Sequence, residues 1–186
     1  MIRYIDRVSK MIFKETKLKG AYVIELEPIK DERGYFARRF CQAEFKENGL
    51  NPCVAQCNVS YNEKKGTLRG MHYQNAPYEE AKVVSCIRGC IYDVIIDLRR
   101  DSATYCQWLG VELSAENYKM LYVPGGFAHG FQTVEDNAMV FYQVSEFYHP
   151  EYERGVRWDD SSFGIKWPLN NYIISTKDRQ FPDFVR

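Results

Sequence analysis

Only three histidines, His72, His129 and His149, occur in the 186 residues, so any proton-transfer or metal chemistry draws on a short list. Imidazole can take and return a proton near neutral pH, and in its neutral form it is the commonest metal ligand. His72 stands in GTLRGMHYQ (66–74), which reads as a strand, and His129 follows PGGFA (124–128), a turn feeding a strand. Two imidazoles on such segments would suit a site at the mouth of a β-structure. A metal reading adds only Glu79 or Glu80 to His72 and His129, too few ligands for an iron or zinc centre. The six cysteines (Cys41, Cys53, Cys57, Cys86, Cys90 and Cys106) offer a second metal possibility, because Cys53 with Cys57 and Cys86 with Cys90 form two close pairs. Three residues intervene in each pair and the text around them alternates like strand, so buried free thiols are the expectation.

The segments that must position these residues are rich in β-branched and aromatic side chains. They are AYVIEL (21–26), CVAQCNVSY (53–61), TLRGMHYQ (67–74), AKVVSCI (81–87), CIYDVIIDL (90–98), QWLGVEL (107–113), MLYV (120–123), FQTV (131–134) and AMVFYQVSE (138–146). Turn-formers such as Arg88-Gly89, Asp101-Ser102, Pro124-Gly125-Gly126 and Glu135-Asp136-Asn137 separate them at intervals that suit a sandwich or barrel. One short helix is predicted at QAEFKEN (42–48), closed by Gly49. No long helices intervene to make parallel crossovers, so the expected architecture is an antiparallel double-sheet jelly roll or small barrel with room for a ligand in its mouth. Along 67–74, alternation puts Leu68, Gly70, His72 and Gln74 on one face and Arg69, Met71 and Tyr73 on the other.

With 45% hydrophobic and 27% charged residues, the chain is expected to fold as one domain over residues 1–186. Its 25 basic and 25 acidic residues cancel, which removes the field that would gather nucleic acid or anionic lipid, and neither is an expected partner. No window approaches the roughly 18 apolar residues of a membrane span, and the N-terminus lacks the apolar core of a signal peptide. The cytoplasm is the expected location.

Several long motifs occur together in this chain: DERGYFARRF (31–40), GTLRGMHYQ (66–74), AKVVSCIRGCIYDVIIDLR (81–99), FYQVSEFYHPEYERGVRWDD (141–160), GIKWP (164–168) and STKD (175–178). Their order and spacing resemble the dTDP-4-dehydrorhamnose 3,5-epimerase family from about Met11 nearly to the end, leaving residues 1–10 as an extension outside the match. PGGFAH (124–129) resembles the second motif of the wider cupin superfamily. The resemblance implies an all-β cupin-type double-stranded β-helix or jelly roll with a few short helices, usually a homodimer, needing neither metal nor cofactor. It also implies epimerisation of a nucleotide-linked 4-keto-6-deoxyhexose at C3, C5 or both. The C4 ketone acidifies the neighbouring hydrogens, a base removes one, and the enolate is reprotonated from the opposite face.

By the same resemblance His72 is the base, Asp178 its carboxylate partner, Tyr142 the proton donor across the sugar, and Lys82 the cation near the C4 oxygen. Arg33, Arg69, Gln56, Asn58, His129, Glu153 and Lys177 match substrate-binding positions, and Tyr148 matches the aromatic that stacks on the base. Three positions depart from the pattern. Arg38 stands where the family usually has a glutamate that helps bind the nucleoside, which makes another nucleotide such as CDP an alternative to dTDP. Val59 replaces a histidine, and Phe147 replaces the first of a tyrosine pair. An epimerase acting at a single position, a metal-dependent cupin oxygenase and a non-catalytic sugar-nucleotide binding module are the competing readings.

Overall fold

Apolar residues at every second strand position meet across two stacked, almost wholly antiparallel sheets in a computed structural model that describes residues 9–185. The first sheet runs in the order β1 (Met11–Glu15), β2 (Tyr22–Leu26), β10 (Met120–Val123), β7 (Lys82–Arg88), β12 (Ala138–Val144) and β5 (Gln56–Asn62). The second runs β13 (Glu153–Gly155), β6 (Thr67–Gln74), β11 (Phe127–Thr133), β8 (Cys90–Asp97) and β9 (Trp108–Ser114). β14 (Ile173–Ile174) lies parallel to β6, and β3 (Ile29–Asp31) and β4 (Gly34–Phe36) form a separate hairpin. The expected jelly roll is therefore present as a sandwich of open sheets rather than a closed barrel.

Between the sheets, Val84, Leu121 and Val140 of the first pack with Ile91, Ile95, Leu113 and Phe131 of the second, all buried. Burying each such side chain contributes about 1.5–3 kcal/mol, so this layer fixes the spacing of the sheets. Two further clusters cover the outer faces. Helix α1 (Gln42–Glu47), at six residues too short to persist alone, is held by Phe45, which is wholly buried against Phe13, Ile24 and Tyr122. The C-terminal stretch lays Val156, Phe163, Trp167 and Phe184 over Met71, Val94, Ile96 and Ala128 of the second sheet.

The structure corrects several expectations. β11 begins at Phe127 rather than 131, so His129 sits in mid-strand and not at the end of a turn. Strands β1, β3, β4, β13 and β14 and the short helix α2 (Thr176–Arg179) were not expected. The alternation expected along β6 fails in its middle: His129 pairs with His72, but Phe131 pairs with Arg69, so β6 carries one more residue than β11 between the two pairs. That bulge turns Arg69 to the same side as His72. Gly70, with φ near +123°, makes this possible, since a β-carbon there would lie 2.6 Å from Gly130 Cα. Cys86 and Cys90 are buried as expected, with thiols pushed by burial to about 11 and about 12, but Cys53 and Cys57 are exposed. Of the ten-residue extension, residues 1–8 lie outside the described residues, while Ser9 Oγ donates to the Glu27 carbonyl and the Lys10 carbonyl accepts the Glu27 N–H. No helix among the described residues is long and apolar enough to cross a membrane.

Candidate active site

His72 is delivered by β6 and meets a carboxylate from the far end of the chain. β14 runs parallel to β6 and leads directly into α2, where Ser175 accepts the Asp178 N–H at 3.1 Å and so caps the helix start. Asp178 Oδ1 is 2.8 Å from His72 Nε2, and its Oδ2 accepts the Gly70 N–H at 3.1 Å. Burial pushes the Asp178 carboxyl upward. The bond to His72, the nearby imidazole charge and the Gly70 N–H together outweigh burial and hold it below the usual range. A carboxylate only accepts, so Nε2 carries the hydrogen in the neutral ring and Nδ1 is left as the basic nitrogen. The His72 side chain is 32% exposed against 6% for Asp178, so the ring borders the cleft while its partner is shielded. Phe181 stands edge-on to the imidazole, with ring centroids 5.7 Å apart.

Tyr142 and Lys82 come from the other sheet. In register, Tyr142 lies between Asn58 on β5 and Val84 on β7, and Lys82 opens β7 beside Val144. Lys82 Nζ pairs with Glu80 Oε1 at 2.8 Å, with both side chains about a tenth exposed. The Tyr142 phenol is raised above its ordinary value, first by burial and then by the charge of Glu80, with Arg69 opposing. These groups share with His72, Gln56 and Asn58 a cleft of about 380 Å³, joined to a recess of about 200 Å³ that Arg69 and His129 line. The cleft thus presents a His–Asp base on one wall and a neutral phenol with an ammonium on the other.

A second His–Asp pair lies beside the first. His129 Nε2 meets Asp93 Oδ1 at 2.8 Å, Asp93 being wholly buried with its Oδ2 unpartnered among the described residues. Arg69 is held by Asn62, its Nε donating to Oδ1 at 2.7 Å. At the mouth, Tyr148 donates its hydroxyl to Glu153 at 2.8 Å, and Lys177 Nζ bonds the two Glu153 oxygens at 2.7 and 2.6 Å. Burial would raise Glu153, but the bonds from Lys177 and Tyr148 bring it below the usual carboxylate range.

Eleven of the thirteen residues singled out in the sequence are thereby gathered around one cleft. Arg33 and Arg38 are not. Arg33 is paired with Asp31 in the exposed β3–β4 hairpin, and Arg38 reaches Glu44 at 3.2 Å beside α1. Val59 is exposed, and Phe147 is exposed near the mouth. Glu79 lies beside Gly125 and Gly126, and no three His, Cys, Asp or Glu side chains come together as a metal set among the described residues. Sequence reasoning missed Asp93, which with Asp97 is one of two acids in phase with Ile91 and Ile95 in an otherwise apolar strand. In the sequence Glu80 reads only as a candidate metal ligand, and Gln74 only as a residue on the His72 face of its strand.

Comparison with known proteins bears on what this arrangement does. A family model described as dTDP-4-dehydrorhamnose 3,5-epimerase matches residues 15–185. The protein of that description from Methanothermobacter thermautotrophicus is 48% identical over 177 residues, 94% of this chain and 95% of the relative. The crystal structure of the Elizabethkingia anophelis enzyme superposes with a TM-score of 0.91 at 41% identity, covering 94% of this chain and 96% of that one. A Legionella pneumophila 3,5-epimerase, solved in complex with dTDP-4-keto-L-rhamnose, gives 0.86 at 37% identity, covering 91% and 90%.

Proposed function

The chain belongs to the dTDP-4-dehydrorhamnose 3,5-epimerase family and is an isomerase of deoxysugar biosynthesis, and on that premise we propose that His72 and Tyr142 act on opposite faces of one sugar ring held between the two sheets. The observation that carries this reading is the 2.8 Å His72–Asp178 pair facing, across the cleft, a tyrosine from the other sheet.

The proposed substrate is a nucleotide-linked 4-keto-6-deoxyhexose. Its C4 ketone makes the hydrogens on C3 and C5 removable. His72 Nδ1 takes one of them, Asp178 stabilises the resulting imidazolium through Nε2, and the electron pair moves onto the C4 oxygen as an enolate. Lys82 supplies fixed positive charge for that oxygen. The Tyr142 hydroxyl then returns a proton from the other side, inverting the carbon. Water takes the proton from His72 and replaces the one lost by Tyr142, so no redox partner is consumed.

Arg69, His129 and Lys177 supply cationic or donor groups for the diphosphate, Gln56 and Asn58 line its path, and Tyr148, oriented through Glu153, offers a face to the base. The nucleotide proposed is dTDP, because Arg38 is tied to Glu44 and Ser9 away from the cleft of its own chain and puts no reversed charge there. A homodimer acting in the cytoplasm completes the proposal, and exposed Val59, Tyr61 and Ile87 on the first sheet offer an apolar surface for pairing.

The test is solvent deuterium entering C3, C5 or both, followed by NMR without added metal. No exchange into any of the dTDP, CDP, GDP or UDP sugars would end the proposal.

A further inference from the structure

Tyr148 belongs to an irregular stretch between the end of β12 and the helical turn at Pro150–Tyr152, and residues 147 and 148 are both more than half exposed. Among the described residues no strand pairs with this segment, and side chains tie down its main chain, Gln74 with two of the bonds. Gln74, the last residue of β6 and 3% exposed, accepts the His149 N–H on Oε1 at 2.6 Å and donates through Nε2 to the Phe147 carbonyl at 3.1 Å. These two groups flank Tyr148, so the side-chain amide pairs with them as an adjacent strand would. Its remaining donor goes to the Tyr78 carbonyl at 2.9 Å, which anchors the amide from its other side. The Tyr148 N–H in turn donates to Gln56 Oε1 at 3.1 Å, from β5 of the opposite sheet. Two glutamines, one from each sheet, therefore bond three main-chain groups around Tyr148.

We propose that Gln74 is a positioning residue that aims the Tyr148 ring across the cleft mouth and thereby sets affinity for the nucleoside half of the substrate. The inference rests on the reading that Tyr148 meets the base. An uncharged amide suits this role: it satisfies one donor and two acceptors in a buried site without placing a charge beside the His72 dyad.

The experiment measures dTDP, which carries no sugar, by calorimetry on wild type, Gln74→Glu, Tyr148→Ala and the double variant. Gln74→Glu keeps the shape and the acceptor for His149 and removes both donations. Loss of a base–aromatic stack lowers affinity on the order of tenfold, and that loss is expected for each single variant, with no further loss in the double variant. For the whole substrate, the fall in kcat/KM of Gln74→Glu is expected in KM. Binding of dTDP within twofold of wild type, a further tenfold loss in the double variant, or a fall confined to kcat would overturn the assignment. If wild type itself fails to bind dTDP, the nucleotide reading falls alone. Amide exchange at His149 then decides the clamp: protection lost at least tenfold in Gln74→Leu supports it, and unchanged protection overturns it.

Discussion

His72 and His129 are direct partners across the β6–β11 ladder, and each meets its own aspartate through Nε2 at 2.8 Å. The two pairs differ in what else holds the carboxylate. Asp178 also accepts the Gly70 N–H, whereas Asp93 is wholly buried and its Oδ2 has no hydrogen-bond partner among the described residues. Leaving a buried polar group without its partner costs about 1–3 kcal/mol, and the cost is greater where no backbone donor remains. His129→Ala is therefore expected to destabilise the protein more than His72→Ala does, by about 1 kcal/mol in urea unfolding. Equal losses would mean that Asp93 is held by something other than His129.

The roles in proton transfer separate by substitution. His72→Ala is expected to abolish deuterium uptake, and Asp178→Asn to lower it by about 10²–10⁴, the range spanned by general-base and base-orienting groups. Tyr142→Phe should still release the substrate hydrogen to solvent while forming inverted product at least about tenfold more slowly. Parallel, small losses for His72→Ala and Tyr142→Phe would contradict the opposite-face arrangement.

The close approach of β6 to β11 under the two imidazoles permits no side chain. A β-carbon on residue 130 would lie 2.7 Å from both the Arg69 carbonyl oxygen and Met71 Sδ. Gly130→Ala is expected to cost about 1–3 kcal/mol by overpacking, and to lower kcat by pushing Arg69 and His72 out of place. A thermal melt within 1 °C of wild type, with full activity, would show that the strands can separate at no cost.

Asp178 also predicts the direction of an acid effect. Its carboxyl is held below the usual value in the folded chain, so its ionised form favours folding above the unfolded pKa near 4, and that contribution is lost as pH falls through the lowered folded value. The stability difference between wild type and Asp178→Asn should therefore be full at neutral pH and shrink below about pH 4. A difference independent of pH would show that the shift is absent. The Tyr142 phenol, raised by burial, should stay protonated beyond its ordinary value near 10, so loss of activity on the alkaline side below that pH has another source.

How much of this was legible in the sequence depends on which forces placed each part. β6 and β10 occupy the residues that their β-branched and aromatic content indicated, because each is paired on both edges inside a sheet. The three-residue strands β3, β4 and β13 have little pattern of their own and form only against neighbours. Arg69 falls on the face opposite to the one alternation indicates because the bulge is set by the approach of Gly130, 61 positions along the chain. Asp178 looks like a surface charge in a polar tail, and only the motif resemblance marked it. β14 then explains how it travels to His72. Asp93 went unread because a buried acid gives no local sign of the imidazole it serves.

One consequence follows from the placement of His72 and Tyr142 on separate sheets. With the roles proposed for these two residues, the handedness of the product is expected to depend on the thickness of the apolar layer beneath the cleft, where Val84, Leu121, Ile91 and Ile95 set the gap like a caliper. Thinning that layer, as Ile95→Val would, moves the two groups relative to each other without touching either. Stereochemical errors should therefore surface in core variants that still fold and still turn over, making fidelity a property of the sandwich filling as much as of the residues that carry protons.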